Sequence, residues 1–248
     1  MCNVSISTNN LTIGYNNHIV QRDLKFDLHP GEMVCMLGPN GCGKSTLLRT
    51  LAGLQPALAG SFEIAKSPLP IANSLIEASQ IALVLTERLS IENTTVHDVV
   101  AMGRYPYTSF LGGLSGRDEQ IIEQSLSDVG LSGCSHTFFN DHSDGEKQRV
   151  LIAKALTQET PIILLDEPTA HLDLPNRIRI LQMLRRVARE QGKTILISTH
   201  ELDLAIQLSD RIMLMTPQKG IQLDTATNLR ATGAFTAAFG MDIFNPCL

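Results

Sequence analysis

The glycine-rich segment at residues 38–45 constrains the fold of this 248-residue chain more than any other feature. It matches the pattern G-x-x-x-x-G-K-S/T, follows the unbroken apolar run Met33–Leu37, and precedes a leucine-rich helical pattern. A buried strand that passes through such a turn into a helix is typical of α/β proteins that hold phosphate groups at the turn. The alternative is a glycine-rich turn that only caps an ordinary helix.

The residue types in this segment explain how it would hold phosphate. Glycines let successive backbone N–H groups point inward, and the helix N-terminus adds partial positive charge. The ammonium of Lys44 would neutralise the β- and γ-phosphate oxygens, and the Ser45 hydroxyl would bind Mg²⁺. We expect this phosphate loop to be lined by Gly38, Pro39, Asn40, Gly41, Cys42, Gly43, Lys44, Ser45 and Thr46.

Further short apolar runs have the composition of strands buried on both faces, and they lie at residues 81–85, 162–165, 194–198 and 211–215. Helical patterns separate them; the clearest begins after Asp173 and should end at Gly192, and another spans residues 118–129. This alternation predicts an α/β fold with a mostly parallel sheet.

Two regions depart from that alternation. Apolar and polar residues alternate around Leu11 and again at residues 24–28, which predicts half-buried antiparallel strands near the N-terminus. Residues 90–134 contain two helical patterns and no convincing strand, which predicts a helical insertion in the sheet domain. Residues 217–248 show only weak helix and strand signals, and their phenylalanines are expected to close the core.

An acidic pair ends the apolar run at residues 162–165. Ligands bind at the carboxyl ends of strands in open α/β sheets. Asp166 is therefore suited to hold a hydrated Mg²⁺, and Glu167, pointing elsewhere by strand alternation, is suited to polarise an attacking water. In isolation, the pair would instead indicate solvated charge at a strand end.

Composition excludes several classes of protein. Hydrophobic residues make up 43% and charged residues 18% of the chain, so an intrinsically disordered chain is excluded. The formal net charge is −5 and aromatic residues are only 4%, which argues against binding nucleic acid by bulk charge or by base stacking.

Cysteine usage and hydropathy bear on the compartment. The five cysteines form no CxxC pair, which argues against a disulfide framework or a zinc ribbon and favours a reducing compartment. Residues 1–21 lack the basic and apolar regions of a signal peptide, and the uncharged run at 50–62 is too short to cross a bilayer. We therefore expect any membrane work to be done through a partner.

Taken together, these motifs resemble the nucleotide-binding subunit of ABC transporters over almost the whole chain. The resemblance implies a single ABC ATPase domain at 1–248, with a RecA-like P-loop core, an N-terminal antiparallel β subdomain and a helical subdomain inserted at about 88–158. It implies ATP and Mg²⁺ as cofactors. A GTPase is disfavoured because no NKxD motif follows the acidic strand.

The resemblance also assigns roles to individual residues. Tyr15 falls where the family stacks adenine, residues 143–149 match the signature sequence, and residues 170–173 match the D-loop, which ends at Asp173. His200 matches the switch histidine, which would bond the γ-phosphate and the attacking water. Lys44, Glu167 and His200 are the expected catalytic residues. Without the resemblance, Tyr15 and His200 would be assigned to packing and to an ordinary strand end.

The signature implies a second copy of the chain. Ser143 stands three residues before Glu146, as in a capping box, so helix capping alone would explain the motif. The capped helix N-terminus is also an anion site, with an exposed Ser143 hydroxyl and Gly145 N–H. Family resemblance implies that it receives the γ-phosphate held by a second protomer, in a head-to-tail homodimer.

Two motifs depart from the family pattern. Its glutamine loop has Thr86 and then Glu87 where glutamine is usual, so Thr86 takes the place of a residue that contacts Mg²⁺. In the signature, His142 replaces leucine and Asp144 replaces glycine, and Asp144 is expected to point away from phosphate. Cys42 lies inside the phosphate loop, where we expect a small side chain that the loop tolerates; the alternative is that the helix N-terminus lowers its thiol pKa and that oxidation blocks ATP.

Residues 96–107 resemble importer ATPases for iron chelates, haem and cobalamin. The resemblance implies that Tyr105, Tyr107 and Phe110 dock on integral membrane permease subunits. The permease would hold the chain peripherally at the cytoplasmic face of the inner membrane. It would also link the chain indirectly to a substrate-binding protein. Local packing of these aromatics is the alternative. The competing functions are a soluble ABC ATPase and a regulatory nucleotide-binding module that has lost hydrolysis.

Overall fold

A computed structural model describes residues 4–16, 18–64, 67–69, 79–85, 92–108, 113–216 and 220–240, with residues 67–69 described by their backbone alone. Within these ranges, no helix combines the length and the apolar character needed to cross a membrane.

A six-stranded sheet forms the centre of the molecule. Its strands, in spatial order, are β11 (Gly220–Asp224), β10 (Arg211–Thr216), β4 (Met33–Leu37), β9 (Thr194–Ser198), β8 (Ile162–Asp166) and β7 (Ile81–Val84). All neighbours pair in parallel except β11, which is antiparallel to β10. The expected mostly parallel sheet is confirmed.

Both faces of this sheet are buried, which explains the unbroken apolar runs. In β4, Met33, Cys35 and Leu37 pack into one hydrophobic cluster, whereas Val34 and Met36 pack into another on the opposite face. Side chains alternate across a strand, so a strand covered on both sides must be apolar throughout.

The second sheet is antiparallel and lies at the N-terminal end of the chain. It joins β2 (His18–Leu24), β1 (Ile6–Tyr15), β5 (Ala59–Ile64) and β6 (Ser67–Leu69), and the two-residue strand β3 (Asp27–Leu28) also pairs with β1. The strand expected across residues 24–28 is therefore interrupted. Phe26 explains the break, because its N–H donates to the Thr8 hydroxyl at 2.8 Å instead of to a backbone carbonyl.

The helices are α1 (Lys44–Leu51), α2 (Val96–Ala101), α3 (Gly116–Asp128), α4 (Asp144–Thr157), α5 (Leu174–Gln191), α6 (Leu202–Leu208), α7 (Ala226–Ala231) and α8 (Ala234–Phe239). The prediction for α5 is confirmed: Asp173 caps it and Gly192 ends it in the left-handed conformation. The other predicted helix, α3, begins two residues before Asp118 because Ser115 and Asp118 form a capping box.

Among the described residues between β7 and β8 are the helices α2, α3 and α4 and the short 3-10 helices Met102–Tyr107 and Phe139–Asp141. Helices α2, α3 and α4 pack against one another around Val99, Ile122 and Val150. In the described part of this region, the strand-like pairing is an isolated bridge between Thr95 and Phe138. The boundaries of a helical subdomain at about 88–158 stay a prediction.

The C-terminal region contains more regular structure than its sequence indicated. Strand β11 forms the sheet edge, and α7 and α8 pack near β10. Phe235 is fully buried and Phe239 packs partly against the core, as expected for core closure. Met241 and Phe244 lie outside the described residues.

Candidate functional site

The phosphate loop connects the C-terminal end of β4 to the N-terminus of α1, so its position is fixed by the central sheet. Gly41 and Gly43 have left-handed φ angles of 77° and 104°, which favour glycine. Gly38 is needed for a different reason: a Cβ at this residue would lie 2.3 Å from the carbonyl oxygen of Met215. The three glycines therefore fit the backbone cradle that the sequence predicted.

Lys44 is the first residue of α1 and its side chain turns back over the loop. It is only 7% exposed, and its Nζ donates to the carbonyl oxygens of Gly38 at 2.9 Å and Pro39 at 3.3 Å. The neighbouring Ser45 is exposed, whereas Thr46 is buried and its carbonyl accepts a bond from Thr50. The loop thus brings an ammonium and an open hydroxyl to the same helix N-terminus.

Gln21, on β2, supports this loop, and our sequence analysis did not single it out. Its side chain is 3% exposed, and its Nε2 donates to the carbonyl oxygens of Cys42 at 2.8 Å and Thr216 at 3.1 Å. It therefore ties the loop to strand β10 and holds the Cys42 carbonyl. An isolated glutamine among polar residues gives no sequence signal for such a role.

Cys42 lies with its side chain in the core beneath the loop. Burial raises the pKa of its thiol above the ordinary value, while the nearby Lys44 opposes the shift to a smaller extent. The raised pKa contradicts the alternative in which the helix N-terminus lowers it, because loss of hydration has the larger effect.

The acidic pair stands at the C-terminal end of β8, beside β9. Asp166 is 7% exposed and its Oδ1 accepts a 2.6 Å hydrogen bond from the hydroxyl of Ser198. The backbone N–H of Glu167 donates to the same hydroxyl oxygen at 2.8 Å. The Ser198 hydroxyl therefore anchors the carboxylate of Asp166 and the backbone of Glu167. The sequence analysis missed this contact between strands.

Glu167 and His200 lie together, as the resemblance implied. Nε2 of His200 makes a close contact with Oε1 of Glu167, and both side chains are partly exposed. Glu167 has a left-handed φ of 47°, so the chain turns sharply after Asp166 and sends the two carboxylates in different directions. This geometry places a carboxylate and an imidazole side by side at the end of the sheet.

The signature residues form the N-terminus of α4. Ser143 is exposed and makes a full capping box with Glu146, whose Oε2 accepts from the Ser143 hydroxyl at 2.8 Å. Gly145, expected to be exposed, is buried, because Asn176 from α5 lies 3.1 Å from the point where a Cβ would stand. The helix tip therefore presents Ser143 while Asn176 covers Gly145.

The remaining predicted residues are more dispersed. Asp173 caps α5 by accepting a 3.2 Å bond from the N–H of Asn176. Tyr15 is exposed at the end of β1, with its ring 6.5 Å from the ring of His18. Thr86 lies outside the described residues.

The residues present suit a magnesium ion bound together with phosphate. Mg²⁺ prefers oxygen ligands and usually takes one or two carboxylates, with phosphates and water completing its shell. Asp166 at the end of β8 and Ser45 in the helix that follows β4 provide such oxygens on the same side of the sheet, and β9 is the one strand between β8 and β4. In the described ranges, no group of three or more His, Cys, Asp or Glu residues is arranged to hold a metal ion.

Comparison with known proteins agrees with this geometry. Residues 21–170 match the family model described as ABC transporter. An uncharacterized ABC transporter ATP-binding protein of Methanocaldococcus jannaschii is 38% identical, with 87% of this chain and 74% of that protein covered. The iron(3+)-hydroxamate import ATP-binding protein FhuC of Bacillus subtilis is 34% identical, with 96% and 88% covered. The chain belongs to the ABC transporter family, whose ATP-binding proteins bind and hydrolyse ATP.

Solved structures give the same assignment. A metal-chelate type ABC transporter in an inward-facing conformation superposes with a TM-score of 0.83 at 30% identity, covering 96% of this chain and 90% of that chain. A dimeric bacterial ABC transporter cassette superposes with a TM-score of 0.75 at 26% identity, covering 89% and 98%. The expected ABC ATPase fold is confirmed.

Proposed function

We propose that this ATPase powers the import of an iron chelate, haem or cobalamin through a separate membrane permease. The observation that carries the proposal is the match to the iron(3+)-hydroxamate import protein, which extends along 96% of the chain. A cobalamin import ATP-binding protein of Halobacterium salinarum is also similar, at 35% identity. The match covers 78% of this chain and 48% of that protein.

In this proposal ATP and Mg²⁺ are held between the phosphate loop and the acidic strand end. Mg²⁺, when bound, neutralises charge on the phosphate oxygens. Ser45 and Asp166 would hold it, with Thr86 as the third candidate. An ammonium has three donors, and Lys44 directs two of them at Gly38 and Pro39, which leaves one for a phosphate oxygen. Tyr15 would stack on the adenine.

Catalysis is assigned to Glu167 and His200. The partly exposed carboxylate of Glu167 orients the attacking water and accepts its proton, as phosphoryl transfer requires mainly positioning and charge neutralisation. His200 hydrogen-bonds the γ-phosphate and the attacking water, and its contact with Glu167 keeps it beside the carboxylate that accepts the water's proton.

The second half of the site comes from another copy of the chain. Ser143 at the exposed tip of α4 would meet the γ-phosphate held by the partner protomer, in a two-fold homodimer. For the Gly145 N–H to join it, the side chain of Asn176 must shift. The side chain of Asp173 already caps the helix that carries Asn176. We therefore propose that Asp173 contributes to the partner's site through the backbone of the D-loop.

The permease is proposed to dock on the segment Met102–Tyr107. Tyr105 is 65% exposed and Tyr107 is partly exposed, so this segment presents aromatic surface outside the core. Docking there would hold the subunit peripherally at the cytoplasmic face of the inner membrane, where the permease also meets a substrate-binding protein on its other side. Phe110 lies outside the described residues.

Uptake measurements test the proposal. A strain that lacks this chain should lose uptake of one radiolabelled cargo among a ferric siderophore, haem and cobalamin, and wild-type protein should restore it. Glu167→Gln should not restore it, and Tyr105→Ala should restore it poorly although the purified variant still hydrolyses ATP. Unchanged uptake of all three cargoes would favour the soluble or regulatory alternative.

A further inference from the structure

Arg104 is buried immediately before the exposed half of its segment. It belongs to the 3-10 helix Met102–Tyr107, is 4% exposed, and stands next to Tyr105, which is 65% exposed. An arginine is almost never buried to this extent unless its guanidinium is fully paired. The partners of Arg104 therefore indicate what the segment is attached to.

The guanidinium is bonded to two different helical elements. Its Nε donates to Oδ1 of Asp118, near the start of α3, at 2.7 Å. One terminal nitrogen donates to the carbonyl of Thr157, the last residue of α4, at 2.7 Å and to the carboxylate of Glu159 at 2.8 Å. Arg104 thus joins the segment to both α3 and the C-terminal end of α4.

Neighbouring residues reinforce the attachment to α4. The guanidinium carbon of Arg104 lies 4.1 Å from the centre of the Tyr107 ring, and the Tyr107 hydroxyl donates to the carbonyl of Gln158 at 2.8 Å. Gly103 approaches α4 so closely that a Cβ would lie 2.2 Å from the carbonyl oxygen of Lys154. Contacts of Gly103, Arg104 and Tyr107 therefore hold the segment on one end of α4.

Helix α4 has Ser143 at its opposite end. Its 14 residues span about 21 Å. A regular helix transmits displacement along its axis, so a movement of the Ser143 end would be carried to whatever is fixed at Thr157. The surface proposed for permease docking and the signature serine lie at the two ends of this single rigid element.

We propose that Arg104 is a positioning residue that locks the segment Met102–Tyr107 to the end of α4, so that the docking surface and the signature helix move as one body. The inference rests on the proposed function for its use in transport. The lock itself is a property of this chain and is testable without a permease.

Lysine cannot replace Arg104 in this role. The planar guanidinium reaches Asp118 from one edge and Thr157 and Glu159 from another, and it lies over the Tyr107 ring. A lysine ammonium is a point charge that keeps the positive charge without this geometry. Arg104→Lys therefore separates the geometry from the charge.

The chain contains no tryptophan, so Tyr105→Trp provides a single fluorescent reporter on the segment. In a Glu167→Gln background, the anisotropy decay of this reporter should follow overall tumbling, and its rotational correlation time should rise roughly twofold when MgATP doubles the particle mass. Adding Arg104→Lys should at least double the fast component of the decay, because the segment then moves on α4. An unchanged decay would overturn the lock.

Arg117→Lys is the matched control. Arg117 is 78% exposed and approaches the same Glu159 only to 3.9 Å, so its replacement should leave the decay unchanged. Tyr107→Phe removes the hydroxyl bond to Gln158 and should give an intermediate fast component even if Arg104→Lys does not fold. If light scattering shows no dimer with MgATP, the proposed dimerisation fails, while the comparison of Arg104→Lys with Arg117→Lys still tests the lock.

Transport separates positioning from simple stabilisation. Arg104→Lys should lower cargo uptake at least tenfold while kcat of the purified chain stays within about twofold of wild type. A residue that only stabilised the fold would lower both together, and that result would also overturn the proposal.

Discussion

The hydroxyl of Ser198 bonds the carboxylate of Asp166 at 2.6 Å. The same oxygen accepts the backbone N–H of Glu167 at 2.8 Å. Strands β8 and β9 place Asp166 directly opposite Ser198, so this arrangement follows from the register of the sheet. A single buried side chain thus orients the proposed magnesium ligand and the proposed general base.

Ser198→Ala should weaken both functions of this strand end. Removing a residue that orients a metal ligand typically costs about 10-fold to 100-fold in metal affinity or activity. We expect the Mg²⁺ concentration for half-maximal ATPase activity to rise by at least about tenfold. Ser209→Ala, which removes a hydroxyl that donates to the carbonyl oxygen of Ala205 in α6 rather than to Asp166, is the control. A Mg²⁺ dependence equal to that of wild type would show that Ser198 does not position Asp166.

Gln21→Leu should disturb the phosphate loop from behind. The change removes two buried hydrogen bonds, those from the Gln21 amide to the Cys42 and Thr216 carbonyls, which should lower the free energy of unfolding by about 1–3 kcal/mol. Misplacement of the loop should lower kcat/KM for ATP by about 10-fold to 100-fold. Chemical denaturation and steady-state kinetics measure the two effects, and Arg22→Ala, at the exposed neighbouring residue, should change neither.

Cys42 should react slowly with alkylating reagents. Its thiol is buried and its pKa is raised, so the reactive thiolate is scarce at neutral pH. We expect peptide mapping by mass spectrometry to show alkylation of Cys42 at least about tenfold slower than that of the partly exposed Cys134. Equal rates would indicate that the loop opens readily and exposes the thiol.

The stability provided by Asp118 should depend on pH. Hydrogen bonds from Ser115, and then from Arg104, lower its pKa from 3.8 to about 2. A lowered folded-state pKa stabilises the fold above the unfolded value and loses this effect as pH falls through the folded value. The difference in Tm between wild type and Asp118→Asn should therefore be full near neutral pH and shrink between about pH 4 and pH 2. A difference that stays constant down to pH 2 would contradict this origin.

Much of the fold and site could be predicted from sequence because the signals are local. The phosphate loop, the acidic strand end and the cap of α5 each depend on a few consecutive residues, and each is where the sequence placed it. The central strands were also found, since burial on both faces demands an unbroken apolar run.

The missed features depend on contacts between distant residues. Gln21 reaches the carbonyl of Thr216, 195 residues away, and Ser198 reaches Asp166, 32 residues away. Arg104 contacts Glu159, 55 residues away. No local pattern marks a single polar residue that is buried by such contacts. The covering of Gly145 by Asn176 was missed for the same reason.

The most direct test of the account is the particle mass of Glu167→Gln by light scattering. With saturating MgATP, we predict a stable particle of twice the 27.1 kDa chain mass, because hydrolysis is blocked after two copies have closed on the nucleotide. The particle should dissociate when ATP is removed. Adding Ser143→Arg, at the exposed signature tip, should prevent the dimer. A variant that stays at 27.1 kDa with ATP bound would contradict the shared site.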